Sequence, residues 1–263
     1  MARPTTQEAP AVFGEKLDWH QLIEETLTMP GSLGNTYNRF VNYSFMNQVL
    51  LYVQGVREPV NTYNRWRQMD RQVIKGSKAK TIVRPIIGKA RLDDGTDEVR
   101  LRGFKPVKCL FTVSETTGEE LPPLEPRVWD KDKALGALVI RQVPFEDIDG
   151  NTAGYSVGRD FAINPVAKYP LKTTFHELGH IVLGHTTPDQ LQDYQRHRGV
   201  REFQAEATAY IVMNELELSE HLDASESRAY VQHWLSDERP AESEIRPVFS
   251  AVDSILKAGW IDV

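Results

Sequence analysis

The segment Leu171–Thr187, LKTTFHELGHIVLGHTT, constrains the fold more than any other stretch of the chain. His176 and His180 are four residues apart, so on a helix their imidazoles lie side by side on one face. Phe175, Leu178, Val182 and Leu183 surround the pair with core-type residues, and histidines embedded in such a helix need partners. His-Glu-x-x-His supplies two of the three protein ligands of a zinc ion that keeps one position open. Glu177 then stands beside the first ligand as general base, next to water whose pKa the metal lowers to about 7. Gly179 keeps bulk away from the metal or from a crossing element.

A third ligand is required. GVREFQAEATAYIVMNEL reads as a second strong helix with Glu202 and Glu206 again four apart. It is similar to the helix from which thermolysin-like zinc peptidases draw a third ligand glutamate, followed one turn later by an acidic residue that holds a ligand histidine. On that pattern Glu202 ligates, and Glu206 accepts a hydrogen bond from a ligand imidazole and fixes its tautomer. The same carboxylates also suit a solvated acidic helix. His185 competes as third ligand, but five residues past His180 it points off the ligand face and reads as a helix-end histidine. His197, His221 and His233 have no ligand spacing; His233 or Tyr230 could approach the site to stabilise an oxyanion.

The net charge of -6 hides an uneven distribution. Residues 65–108 carry 13 Lys/Arg against 5 Asp/Glu, whereas 171–263 carry 8 against 16. Such asymmetry assigns two tasks to the chain and gives the basic part a polyanion as partner, or merely a solvated basic face. Arg65, Arg67, Arg71, Lys75, Lys78 and Lys80 cluster around Trp66, with Tyr37, Tyr43, Phe45, Tyr52 and Tyr63 preceding them. Cations along phosphates and aromatic faces for bases are what single-stranded nucleic acid needs. Walker-type and dinucleotide-type glycine fingerprints are absent.

The organisation is α+β. Helices are predicted from DWHQLIEETL, with Asp18 as cap and Trp19, Leu22, Ile23 and Thr26 at helical spacing, and over YSFMNQVLLYVQG, with Ser44 as N-cap, Gly55 just past the end, and Phe45, Val49, Leu50 and Val53 as its apolar stripe. KTIVRPI and VKCLFTV, with a DDG turn between them, predict a small antiparallel sheet packed on those helices. KALGALVIRQ reads as helix or helix–strand, AGYSVGRDFAINP as a strand, and the remainder as helices at 171–185, 200–216, 225–235 and 241–258. Proline-rich GEELPPLEP is the linker. The expected domains are 15–118, a linker at 119–127, and 128–263, after a loosely attached arm at 1–14. The single Cys109 rules out an internal disulfide framework, and no apolar run reaches membrane-spanning length, so a cytoplasmic protein is expected.

NYSFMNQVLLYVQG followed by TYNRWRQMDRQVIKGSKAKTIVRP, closed by FTVSETTGEELP, resembles the N-terminal domain of the ArdC-like antirestriction proteins of plasmids and phages. Asp70 stands where that family usually has glycine. HELGH and REFQAEATAYIV resemble the attached zincin-like metallopeptidase domain, related to the ImmA/IrrE group. The resemblance implies a two-domain protein of a mobile element that binds single-stranded DNA and protects incoming DNA from restriction. It also implies a zinc metallopeptidase (hydrolase) site of His176, His180 and Glu202, with Glu177 as catalytic base. The competing expectation is a regulatory metalloprotease that cleaves a repressor or restriction-related protein substrate, its first domain serving for recognition.

Overall fold

Asp18 accepts a hydrogen bond from the Gln21 N–H and starts helix α1, Trp19–Thr28, as the sequence predicts. The computed structural model describes residues 17–29, 31–38, 42–91, 97–121, 127–146, 152–191, 194–221, 223–235 and 240–261. The predicted arm at 1–14, the DDG turn and most of the proline-rich linker lie outside these residues. The chain divides into two compact units, Thr36–Pro123 in one and Asp18–Asn35 with Leu124–Val263 in the other. The fold class is α+β.

The division differs from the expected one at α1, which falls in the second unit. Its apolar stripe, Trp19, Leu22, Ile23 and Leu27, is buried, and the Trp19 ring meets Phe249 edge-on at 5.8 Å. His20 Nε2 bonds the Pro240 carbonyl at 2.9 Å. Helical spacing identified Trp19, Leu22, Ile23 and Thr26, all buried, but not Leu27, and only tertiary packing selects the core that receives them.

After the short α2, Leu33–Tyr37, the first unit's α3, Phe45–Val53, buries Phe45, Met46, Val49, Leu50 and Leu51. Its Asn47 and Gln54 side chains bond the backbone of β3, Lys80–Arg91, at Val83 and Thr81. β3 pairs with β4, Asp97–Thr112, which also pairs with β1, Val60–Thr62, in an antiparallel sheet of order β1-β4-β3. Between β1 and β2, Arg71–Val73, the chain forms the short helix α4, Tyr63–Gln68, which the sequence reading did not assign. Thr62 caps it by accepting from the Arg65 N–H, and burial of Trp66 holds it down. β2 pairs with β5, Thr116–Gly118. Asp70 precedes β2 with φ of +54°, in the left-handed region that favours glycine and that Asp tolerates.

In the second unit, β8 (Gly154–Val157) and β9 (Asp160–Ile163) form a hairpin about Gly158 rather than one strand. The parallel partner of β9 is β7, Arg141–Gln142, which follows α5, Lys131–Leu138. This sheet lies against α6, Pro170–Val182, which packs on α8, Tyr194–Glu215. α10, Glu242–Gly259, packs on α8 and α5 and buries Ile245, Val248, Val252 and Ile255, while α9, Ala224–His233, flanks α8. The short α7, Pro188–Leu191, precedes α8, and β6, Val128–Trp129, pairs with β10, Trp260–Ile261.

Candidate functional site

Gly179 sets how closely α6 and α8 cross. A Cβ there would lie 3.2 Å from Ala205 Cα and 3.3 Å from its carbonyl oxygen, so the glycine serves the crossing element. The close approach aims His176 and His180 of α6 at Glu202 and Glu206 of α8. His176 Nε2 and His180 Nε2 are 3.1 Å apart, Glu202 Oε2 is 3.4 Å from the first, and Glu202 Oε1 is 3.7 Å from the second. Metal–nitrogen and metal–oxygen bonds of about 2.0–2.1 Å in a tetrahedron separate neighbouring ligand atoms by about 3.3–3.4 Å. The two nitrogens lie near such an edge and each faces one oxygen of the Glu202 carboxylate, with one ligand atom from each residue lying within 4.8 Å of the others, so two imidazoles and one carboxylate are a suitable donor set for a divalent metal.

The groups behind this cluster orient it. Glu206 Oε2 lies 3.3 Å from His176 Nδ1, and Glu206 Oε1 accepts from Lys172 Nζ at 2.8 Å. Burial pushes the Glu206 carboxyl up, but His176 and Lys172 outweigh it and hold the pKa at about 2. Burial likewise pulls His176 down, and hydrogen bonds to Glu202 and Glu206 with the Glu177 charge outweigh it, leaving His176 at about 9 without metal. Glu177 is buried at 6 % exposure, yet its Oε2 accepts from Ser156 Oγ on β8 at 2.6 Å. A cleft of about 290 Å³ lies between β8 and the helices, lined by Tyr155, Ser156, His176, Glu177, His180 and Glu202.

His185 does not join the ligand cluster. α6 stops at Val182, and Gly184, with φ of +80°, folds the chain back so that His185 Nδ1 reaches His180 Nδ1 at 3.0 Å. His185 Nε2 meets Gln204 Oε1 at 2.9 Å, and burial with the His180 charge pushes its pKa down to about 4. Tyr230 on α9 has its pKa raised by burial, against the lowering by its hydrogen bond with Trp234, and it does not line the cleft. His221 faces Glu220 at 3.4 Å, and the side chain of His197 lies outside the described residues. Ser156, Lys172 and Gln204 are polar partners that the sequence reading missed, because no spacing rule links β8 or a helix start to this site.

The basic residues separate by exposure. Arg65, Arg67, Lys75 and Lys78 are exposed. Trp66 is 0 % exposed and its Nε1 donates to the Phe111 carbonyl at 2.9 Å, so its faces are closed to a base and its expected stacking role is corrected to a core role. Arg71 donates to Thr116 Oγ1 and to the Thr116 carbonyl, and Lys80 pairs with Glu115 at 2.7 Å. Tyr37, Tyr43 and Phe45 are buried, whereas Tyr63 is exposed.

A second cationic surface was not singled out in the sequence. Along the β3–β4 ribbon, Arg84 faces Lys105 and Gly88 faces Arg100, all on one side by strand alternation. The register slips at Ile86/Ile87, leaving Arg102 as the extra residue. Its side chain lies over Gly88, where a Cβ would fall 1.9 Å from Arg102 Nε, so Gly88 admits a further cation to the same face. Ile87 and Leu101, exposed, pair on the opposite face.

Residues 16–114 match the model of the N-terminal domain of anti-restriction factor ArdC. Comparison with curated proteins finds no match. Among solved structures, the metal-free antirestriction ArdC protein from the R388 plasmid is similar at 19% identity and TM-score 0.49, over 94% of this chain and 90% of that chain. The Mn(II)-bound form of that protein is similar at 18% identity and TM-score 0.49, over 94% and 92%. Residues 16–114 are thus similar to the N-terminal domain of anti-restriction factor ArdC.

Proposed function

We propose that the chain is a cytoplasmic antirestriction protein of a plasmid or phage that holds single-stranded DNA on its first unit and carries a zinc-dependent peptide hydrolase site in its second. The observation that supports the hydrolase reading is the convergence of His176, His180 and Glu202 within reach of one metal ion beside Glu177. His176 and His180 would hold the metal through Nε2 and Glu202 through a carboxylate oxygen. When bound, the metal supplies a Lewis acid that brings the pKa of water to about 7. Glu177 takes the proton from the attacking water and returns it to the leaving amine, so charge is conserved across the step. Ser156 holds the Glu177 carboxylate, with both residues lining the cleft.

The DNA reading is supported by the exposed cations Arg65, Arg67, Lys75 and Lys78, the exposed ring of Tyr63, and the cationic face of the ribbon. Phosphate contacts of this kind give affinity without base readout.

The experiment pairs metal analysis and oligonucleotide titration of the purified protein with a Glu177→Gln variant. A stoichiometric divalent metal, oligonucleotide binding in both proteins, and peptide hydrolysis in the unsubstituted protein alone are expected. Absence of metal overturns the hydrolase reading, and absence of oligonucleotide binding overturns the DNA reading. Retention of DNA protection by Glu177→Gln means that hydrolysis is dispensable for it. Loss of protection with DNA binding intact favours the regulatory metalloprotease acting on a repressor or restriction-related protein.

A further inference from the structure

We infer that Gln204 and His185 are positioning residues that select, through a chain of hydrogen bonds, the one tautomer of His180 able to ligate a metal. The inference rests on the metal reading of the His176–His180–Glu202 cluster and assigns a role to residues outside it.

The chain starts at a backbone carbonyl. Gln204 Nε2 donates to the Glu244 carbonyl oxygen of α10 at 2.7 Å. That oxygen cannot donate, so the amide orientation is fixed and Gln204 Oε1 must face His185. Oε1 accepts only, so His185 Nε2, 2.9 Å away, carries its proton. His185 Nδ1 and His180 Nδ1 stand 3.0 Å apart, and one of them must donate to the other. A neutral His185 protonated at Nε2 has its lone pair on Nδ1, so His180 Nδ1 donates. His180 Nε2 is thereby left with its lone pair directed at the cluster of His176 Nε2 and Glu202.

The two histidines are thus set independently. His176 Nδ1 faces the Glu206 carboxylate, an acceptor held by Lys172. His180 has no carboxylate behind it and uses a neutral relay that ends on the main chain of α10. A neutral relay adds no second negative charge behind the ligands and ties the ring orientation to helix packing. The sharp turn at Gly184 exists in this arrangement to bring His185 behind His180.

The test combines side-chain nitrogen NMR of the metal-free protein with zinc titrations. In the unsubstituted protein, His180 is expected as the Nδ1–H form and His185 as the Nε2–H form. Gln204→Leu and His185→Phe should each weaken zinc binding by about 10- to 100-fold. Because the two act in series, the double variant should be no weaker than His185→Phe alone. An Nε2–H form of His180 in the unsubstituted protein overturns the inference and requires no variant to fold. So does zinc affinity unchanged in Gln204→Leu, or losses that multiply in the double variant. If the unsubstituted protein binds no zinc, the metal reading fails, while the His180 tautomer still decides the relay.

Discussion

Ser156 Oγ donates to Glu177 Oε2 at 2.6 Å, linking a sheet strand to the acidic residue of the His-Glu-x-x-His helix. The bond leaves Glu177 Oε1 for a second partner and restricts rotation of the carboxylate. Ser156→Ala should lower kcat about tenfold, which corresponds to about 1.4 kcal/mol and the weaker end of hydrogen bonds to charged groups. Zinc affinity, measured by competition with a chelating dye, should stay the same, because Ser156 touches no proposed ligand atom. Equal losses of kcat and zinc affinity would contradict this assignment.

Metal affinity should rise with pH. His176 of the metal-free protein titrates at about 9, so binding below that pH releases its proton. The apparent affinity should fall about tenfold per pH unit below about 9 from this group alone. Metal titrations between pH 6 and 9 read the slope, and a flat profile counts against ligation by His176.

Stability of the metal-free protein should respond to the same pair. Glu206 has its folded pKa lowered to about 2 from 4.5, so its contribution is fully present above 4.5 and disappears as pH falls through about 2. His176 is raised from 6.5 to about 9, so its contribution is present below 6.5 and disappears as pH rises through about 9. Denaturant midpoints should therefore be highest between these limits, and Glu206→Gln should flatten the acid limb.

Arg67, Lys75 and Lys78 are exposed in the first unit, and their joint replacement by alanine should weaken oligonucleotide binding without changing the melting temperature. Loss of three phosphate contacts to a single strand should reduce the slope of log K against log salt by about 2. The same measurement on the ribbon triple Arg84→Ala, Arg102→Ala and Lys105→Ala tells whether both surfaces hold the strand. Unchanged affinity in both triple variants overturns the DNA reading.

Trp66→Ala acts differently from a surface substitution. The ring is buried and its Nε1 holds the Phe111 carbonyl, so removal should destabilise the first unit by about 3–5 kcal/mol. Denaturant unfolding checks the loss. A fully stable Trp66→Ala protein with weakened DNA binding would restore the stacking role.

Local signals were legible where the decisive physics is local. Asp18 announced α1, the apolar stripe of α3 was readable from its spacing, and His176 with His180 defined one face of α6. Glu202 was recoverable from helical spacing and from similarity to a known ligand helix. α4 was missed because six residues between two strands give too short a periodic pattern, and its stability comes from burial of Trp66. The ribbon's cationic face was missed because strand register, including the slip that frees Arg102, is set by pairing.

The sequence by itself determined the α+β class, the paired histidines with their adjacent glutamate, and the basic segment followed by an acidic helical half. Those features depend on side-chain type and on the fixed periodicities of helix and strand. Tertiary structure alone decided that Trp66 is core, that α1 joins the second unit, and that Ser156, His185 and Gln204 stand behind the site. Each of these depends on which surfaces meet, and close approach such as the α6–α8 crossing at Gly179 arises from packing between segments far apart in the chain.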